Sequence, residues 1–198
     1  MFGEKRGRLV FVKDNRETLY RDVLATAWYA PYVANLIEEG IAEGYKDAAG
    51  RLTGKFGVEE PVTYAEILKM ALEAAGKDVS KAGSPRNLSA KGSWASAYVS
   101  VAEDMKLRVF SPGLDVHKPA TRAEVIQTIL EVKGIPIGSQ KAEYRDVPAS
   151  HPYSPAIAVA TFCGLVQGDD QQDTFRPDAD IIRAEVAKII ALAAKLLK

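Results

Sequence analysis

Three times along this chain a short polar motif opens an apolar helix, and a chain built that way has to fold as packed repeats. Thr63-Tyr64-Ala65-Glu66 and Thr121-Arg122-Ala123-Glu124 read as capping boxes. In each, the threonine hydroxyl takes the amide three residues on, and the glutamate reaches back to the threonine amide. Behind them Leu68, Leu72 and Ala75, or Ile126, Ile129, Leu130 and Lys133, recur at helical spacing, and Gly76 and Gly134 stop the helices. The third copy, Ile182-Arg183-Ala184-Glu185, has isoleucine in place of the threonine, so its cap is lost or supplied by Asp180. A lost cap costs about 1 kcal/mol, which the apolar face through Ile189, Ile190 and Leu192 can offset.

A second helix precedes each of these. Pro31 to Gly40 and Pro155 to Gly164 each place a proline in a first turn and a glycine past a last one, with further glycines at Gly44 and Gly168. Both follow a similar lead-in, Tyr20-Arg21-Asp22-Val23 and Tyr144-Arg145-Asp146-Val147. The middle copy is weaker. Trp94-Ala95-Ser96-Ala97-Tyr98-Val99 aligns with Trp28-Tyr29-Ala30-Pro31-Tyr32-Val33, but Ala97 replaces the proline, Lys106 the first glycine, and Arg86-Asn87-Leu88 the lead-in. The units run over residues 20–76, 86–134 and 144–197, joined by polar linkers at 77–85 and 135–143. Residues 1–19 form an N-terminal extension in which Leu9-Val10-Phe11-Val12 reads as a short strand or a strap. A helix pair this small cannot bury its own apolar face, so the three must pack together, and the expected class is all-α.

Composition narrows the function. Lys and Arg total 26 and Asp and Glu total 26, so no overall field favours nucleic acid or an anionic membrane. No apolar run approaches the roughly 18 residues that span a bilayer. The start, MFGEKRGRLVFVKDN, lacks the apolar core of a leader peptide, so the chain is either not exported or a mature piece of an exported protein, and the second reading is the one expected. The lone Cys163 excludes an internal disulfide and, among Ala160, Phe162 and Leu165, reads as a buried small hydrophobe. His117 and His151 have no second histidine or cysteine at ligand spacing. Asp169, Asp170 and Asp173 lack the alternating ligand series of a calcium loop. Without a nucleotide loop or nucleophile elbow, the expectation is no metal, no cofactor and no catalysis.

The stretch Gly168–Glu185, GDDQQDTFRPDADIIRAE, resembles the core signature of the S-layer homology (SLH) domain, G-x-x-D-G-x-F-x-P-x-x-x-I-T-R-A-E, and the two Tyr-Arg-Asp-Val lead-ins are similar to another hallmark of that family. The resemblance implies three tandem SLH repeats: helical hairpins packed as a pseudo-threefold spindle around a central three-helix bundle. It implies a non-catalytic anchoring module, extracellular at the cell wall, that binds acidic, pyruvylated secondary cell-wall polysaccharide in grooves between repeats. In the family the arginine of Thr-Arg-Ala-Glu meets the pyruvate carboxylate, which singles out Arg122 and Arg183. At a helix start, free amides and the dipole would assist an anion; the alternative is that both arginines pair with surface carboxylates. Tyr64 at the same position leaves its groove impaired or suited to a neutral sugar. Trp28 and Trp94 precede outer helices as core residues or as sugar platforms. Asp22 and Asp146 cap turns or touch ligand, and Glu124 and Glu185 complete the candidate set. The departures in the first and middle units keep a second reading open: a protein-interaction or assembly module that self-associates or meets S-layer subunits.

Overall fold

The computed structural model describes residues 1–13, 15–168 and 172–196. Ahead of the helices lies a sheet: β1 (Phe2–Lys5), β2 (Arg8–Lys13) and β3 (Arg16–Leu24), antiparallel in the order β1-β2-β3. The expected all-α class is therefore overturned. The cause is turn chemistry in the extension. Arg6 and Gly7 take φ of +53° and +73°, the two-residue geometry whose twist matches a hairpin. The apolar run of β2 thus gains a hydrogen-bonded neighbour on each side, in register Val10–Gly3 and Val10–Leu19. Leu9, Tyr20 and Val23 turn inward to the core, and β2 leans on the first helix. β3 runs through Tyr20–Val23, so the first lead-in is a strand continuous with the extension.

Among the described residues six helices follow: α1 (Ala30–Glu38), α2 (Tyr64–Ala74), α3 (Ser96–Asp104), α4 (Arg122–Lys133), α5 (Ser154–Phe162) and α6 (Arg183–Lys195). The helices α2, α4 and α6 contact one another pairwise. The others pack outside them, and not as the expected hairpins: α1 lies on α6, α3 on α2 and α5 on α4. Each unit thus covers the central helix of another. The connection between α1 and α2, residues 39–63, is long enough to let an outer helix find a partner other than its neighbour in sequence.

Just before the central helices the backbone closes on itself. The Val62 amide donates to the Ile181 carbonyl (3.0 Å), Ile181 to Ala120 (3.4 Å), and Ala120 to Val62 (2.8 Å). All three residues are fully buried. The first-turn amides are taken up in the same cyclic way. Tyr64 and Ala65 donate to the carbonyls of Lys118 and Val116, Arg122 and Ala123 to those of Ala179 and Pro177, and Arg183 and Ala184 to those of Glu60 and Val58. The third amide of α2 and of α4 goes to the hydroxyl of Thr63 or Thr121, and both capping boxes are complete. At α6 only half the box forms: Glu185 accepts the Ile182 amide at 3.3 Å, and isoleucine offers nothing in return.

Outer helices end in left-handed residues, and here the middle unit departs. Gly40 and Gly164 take φ of +71° and +69°, and Lys106 takes +57° at the equivalent place. A side chain in that conformation meets its own carbonyl, at a cost of about 1–2 kcal/mol. Cys163, expected to be buried, is half-buried at the edge of the core. We expect Lys106→Gly to raise the stability of the whole chain by about 1 kcal/mol in chemical denaturation; a destabilised variant would show that the lysine stem matters more than its backbone.

Candidate functional site

The cyclic backbone sets up a cyclic side-chain arrangement. The first residue of each central helix reaches the capping glutamate of the next unit. Tyr64 donates its hydroxyl to Glu124 Oε2 (2.6 Å), Arg122 Nη1 meets Glu185 Oε1 (3.1 Å), and Arg183 Nη1 meets Glu66 Oε1 (2.8 Å). Each of these glutamates also accepts the amide at its own helix start. Glu66, which the sequence reading left out, is therefore the third member of the set with Glu124 and Glu185. Its signal was the Thr-x-x-Glu spacing, read only as a cap.

Burial decides the chemistry of these pairs. The Arg122 and Arg183 side chains are only 12% and 9% exposed, so they are not surface pairs. Their Nε atoms are buried without a hydrogen-bond partner. Burial lowers the Arg122 pKa from its ordinary value, against the pull of Glu185. Tyr64 is pushed up, first by burial and then by its bond to Glu124, so at neutral pH that position carries a neutral hydroxyl already committed to a carboxylate. The free amides expected at these helix starts are occupied, as described above. Any anion must therefore be met by side chains.

Each guanidinium rests on a phenylalanine. Arg122 Cζ lies 4.8 Å from the Phe175 ring centre and Arg183 Cζ 5.4 Å from that of Phe56, within cation–π range. The lead-in aspartates fix those rings. Asp146 accepts the amides of Phe175 and Arg176, both at 2.7 Å, and Asp22 those of Phe56 (2.9 Å) and Gly57 (2.6 Å). The middle unit uses inverted chemistry. Asn87 donates its amide to the carbonyls of Ser111 (3.1 Å) and Leu114 (2.7 Å) and accepts the Ala90 amide (3.1 Å). A carboxylate could not donate, which is why asparagine stands there and why the lead-in was hard to see in sequence.

Around Arg122 there is a cleft of about 320 Å³, bordered by Trp28, Gln167, Gly168, Phe175, Arg176, Glu185 and Lys188. Trp28 is 54% exposed, as is Trp94, so neither is a core residue. Asp169 and Asp170, weighed above against a calcium loop, lie outside the described residues. Among the described residues no group of His, Cys, Asp and Glu could hold a metal ion, and no helix is long and apolar enough to cross a membrane.

Comparison with known proteins finds a family-model match in two of the units. The S-layer homology domain model matches residues 19–68 and 143–187. The first match takes in the Asp22 lead-in and Glu66, the second Asp146 and Glu185; residues 86–134, expected as a third repeat, are not matched. No curated protein matches the chain. S-layer homology domains are binding modules of cell-surface proteins, associated with anchoring to cell-wall polysaccharide.

The middle unit is nevertheless tied in by a buried acid. Glu103 on α3 accepts the amides of Arg86 and Asn87, both at 2.8 Å, and the Arg86 guanidinium. Burial pulls its pKa upward, but the two amides and Arg86 outweigh it and hold the carboxylate below its usual range. Such a group adds stability that is present above its unfolded pKa and fades as pH falls through the lower folded value. We expect Glu103→Gln to cost about 1–3 kcal/mol at pH 7, with the gap to wild type closing below about pH 4. Denaturant melts at both pH values test this, and a gap that does not change with pH would refute the assignment.

Proposed function

We propose that this chain is a non-catalytic, extracellular anchoring module that holds an acidic, pyruvylated secondary cell-wall polysaccharide in the clefts between its units. Residues 86–134 serve as a divergent third unit in this reading, supported by their place in the cyclic backbone ring. The observation that carries the reading is the electrostatics of the Arg122 cleft. Glu185 is shared between Arg122 and Arg176, at 3.1 and 3.6 Å, and Lys188 borders the same space. Among the described residues three cations, one of them desolvated, surround one carboxylate, which leaves room for a second carboxylate from a ligand, and guanidinium groups bind carboxylates in a forked geometry. Trp28 at the rim offers a half-exposed ring of the kind on which a sugar face stacks. Asp22 and Asp146 act by positioning Phe56 and Phe175, and Glu124 and Glu185 by orienting Tyr64 and Arg122.

Calorimetric titration with a pyruvylated wall-polymer fragment, and with the same fragment stripped of pyruvate, tests the proposal. We expect binding only to the first. Losing a charge-assisted hydrogen bond costs about 1.5–3 kcal/mol, so Arg122→Gln should weaken binding about 10- to 100-fold while thermal melts show a folded chain. Equal binding of both fragments would sink the carboxylate reading.

One observation favours an assembly role beside this. Phe162 on α5 is 91% exposed, next to Tyr144, Ala158 and Thr161 in a surface cleft of about 750 Å³. Sedimentation of the wild type and Phe162→Ser at increasing concentration tests it; self-association abolished by the substitution would place a subunit contact on that face.

A further inference from the structure

We infer that the chain carries one working carboxylate site, at Arg122, and that Tyr45 closes the related site at Arg183. The inference rests on the polysaccharide reading above and concerns how many ligands the chain can hold.

The two sites share a frame. Each has an arginine on a phenylalanine, an aspartate fixing that ring, and a glutamate from the next unit. They differ at the residue after the phenylalanine. That residue is left-handed in both, with φ of +59° at Arg176 and +85° at Gly57. Arginine there puts a second guanidinium into the Arg122 cleft. Glycine clears space in the other, and Tyr45 fills it. The Tyr45 ring comes to 2.6 Å from where a Cβ on Gly57 would stand, so no other residue could occupy that position without moving the ring.

Tyr45 covers Arg183. Its ring centre lies 5.2 Å from Arg183 Cζ, so the guanidinium has Tyr45 as well as Phe56 within cation–π range. Among the described residues Arg122 has such a contact with Phe175 alone. Tyr45 is also held firmly. Its amide donates to the Lys55 carbonyl (2.9 Å), its carbonyl accepts the Thr53 amide (3.0 Å), and Lys46 and Leu52 form a bridge beyond it.

Charge points the same way. At Arg183 the cations are answered: Arg183 by Glu66, and Lys55 by Glu60. At Arg122, among the described residues, one carboxylate serves both guanidinium groups. An anionic sugar entering the Arg122 cleft offsets an excess of positive charge, whereas at Arg183 it would have to displace an aromatic ring from a neutralised pair.

The test uses stoichiometry and the two tryptophans. Trp28 borders the Arg122 cleft, and Trp94 precedes α3, the outer helix on α2, whose Glu66 meets Arg183; by the cyclic arrangement Trp94 stands to that pair as Trp28 stands to Arg122 and Glu185. With the pyruvylated wall-polymer fragment as probe, calorimetry on wild type should give one ligand per chain, and the NMR indole signal of Trp28 should move while that of Trp94 stays. Tyr45→Ala should bring a second ligand and move both signals, and Tyr45→Phe, which keeps the ring, should behave as wild type. Two ligands on wild type, or a single ligand that moves Trp94 and not Trp28, would overturn the inference and leave the polysaccharide reading standing. A folded Tyr45→Ala chain that still takes one ligand would do the same. Failure of wild type to bind either fragment would overturn both. Should Tyr45→Ala not fold, the wild-type stoichiometry and the two indole signals decide.

Discussion

Three backbone hydrogen bonds, among Val62, Ala120 and Ile181, set the register on which everything else in this molecule depends. Each nets only about 0.5–1.5 kcal/mol, but a buried donor or acceptor left unpaired costs about 1–3 kcal/mol. The ring residues are fully buried, so the three segments must meet in one arrangement. None of the units can satisfy its own segment, because each donates to one of the others and accepts from the third. The same dependence appears in the apolar packing, where every outer helix covers the central helix of another unit.

The ring also decides what the site can do. By consuming the first-turn amides it removes the usual anion-binding capacity of a helix start and leaves the work to side chains. Two residues beyond each ring member stands Tyr64, Arg122 or Arg183, aimed at the glutamate of the next unit. Buried ion pairs contribute little net stability, since desolvation offsets their attraction. Their value here is geometric: they hold two guanidinium groups against phenylalanine faces. Small substitutions then differentiate equivalent places. Tyrosine for arginine turns one position neutral, and Gly57 opposed to Arg176 decides whether an aromatic ring or a second cation stands beside the guanidinium.

Local chemistry was legible wherever it acts over a few residues. The Thr63 and Thr121 capping boxes read correctly because both partners lie within one helical turn. The loss at Ile182 read correctly for the same reason, although the glutamate half of the box survives. Asp22 and Asp146 were seen as side-chain caps, but their acceptors serve amides about 30 residues away, a distance no turn rule covers. Asn87 was missed because it keeps the tie and reverses its polarity, donating where the aspartates accept. The sheet was half seen: β2 stood out as an apolar run, while β1 is mostly exposed and β3 mixes charged residues with its buried Tyr20 and Val23, so neither carries a comparable run.

By itself the sequence determined the six helices, their starts and the residue types at each start, because caps, proline, glycine and apolar spacing act through the nearest turns of the backbone. It also determined which side chains stand first in the central helices. Only the tertiary structure decided which helix covers which, which glutamate each arginine meets and which aromatic ring lies over it. Those partners come from other units, 60 to 117 residues away in the chain. The choice among them is made by closing a buried ring of backbone hydrogen bonds that no single segment encodes.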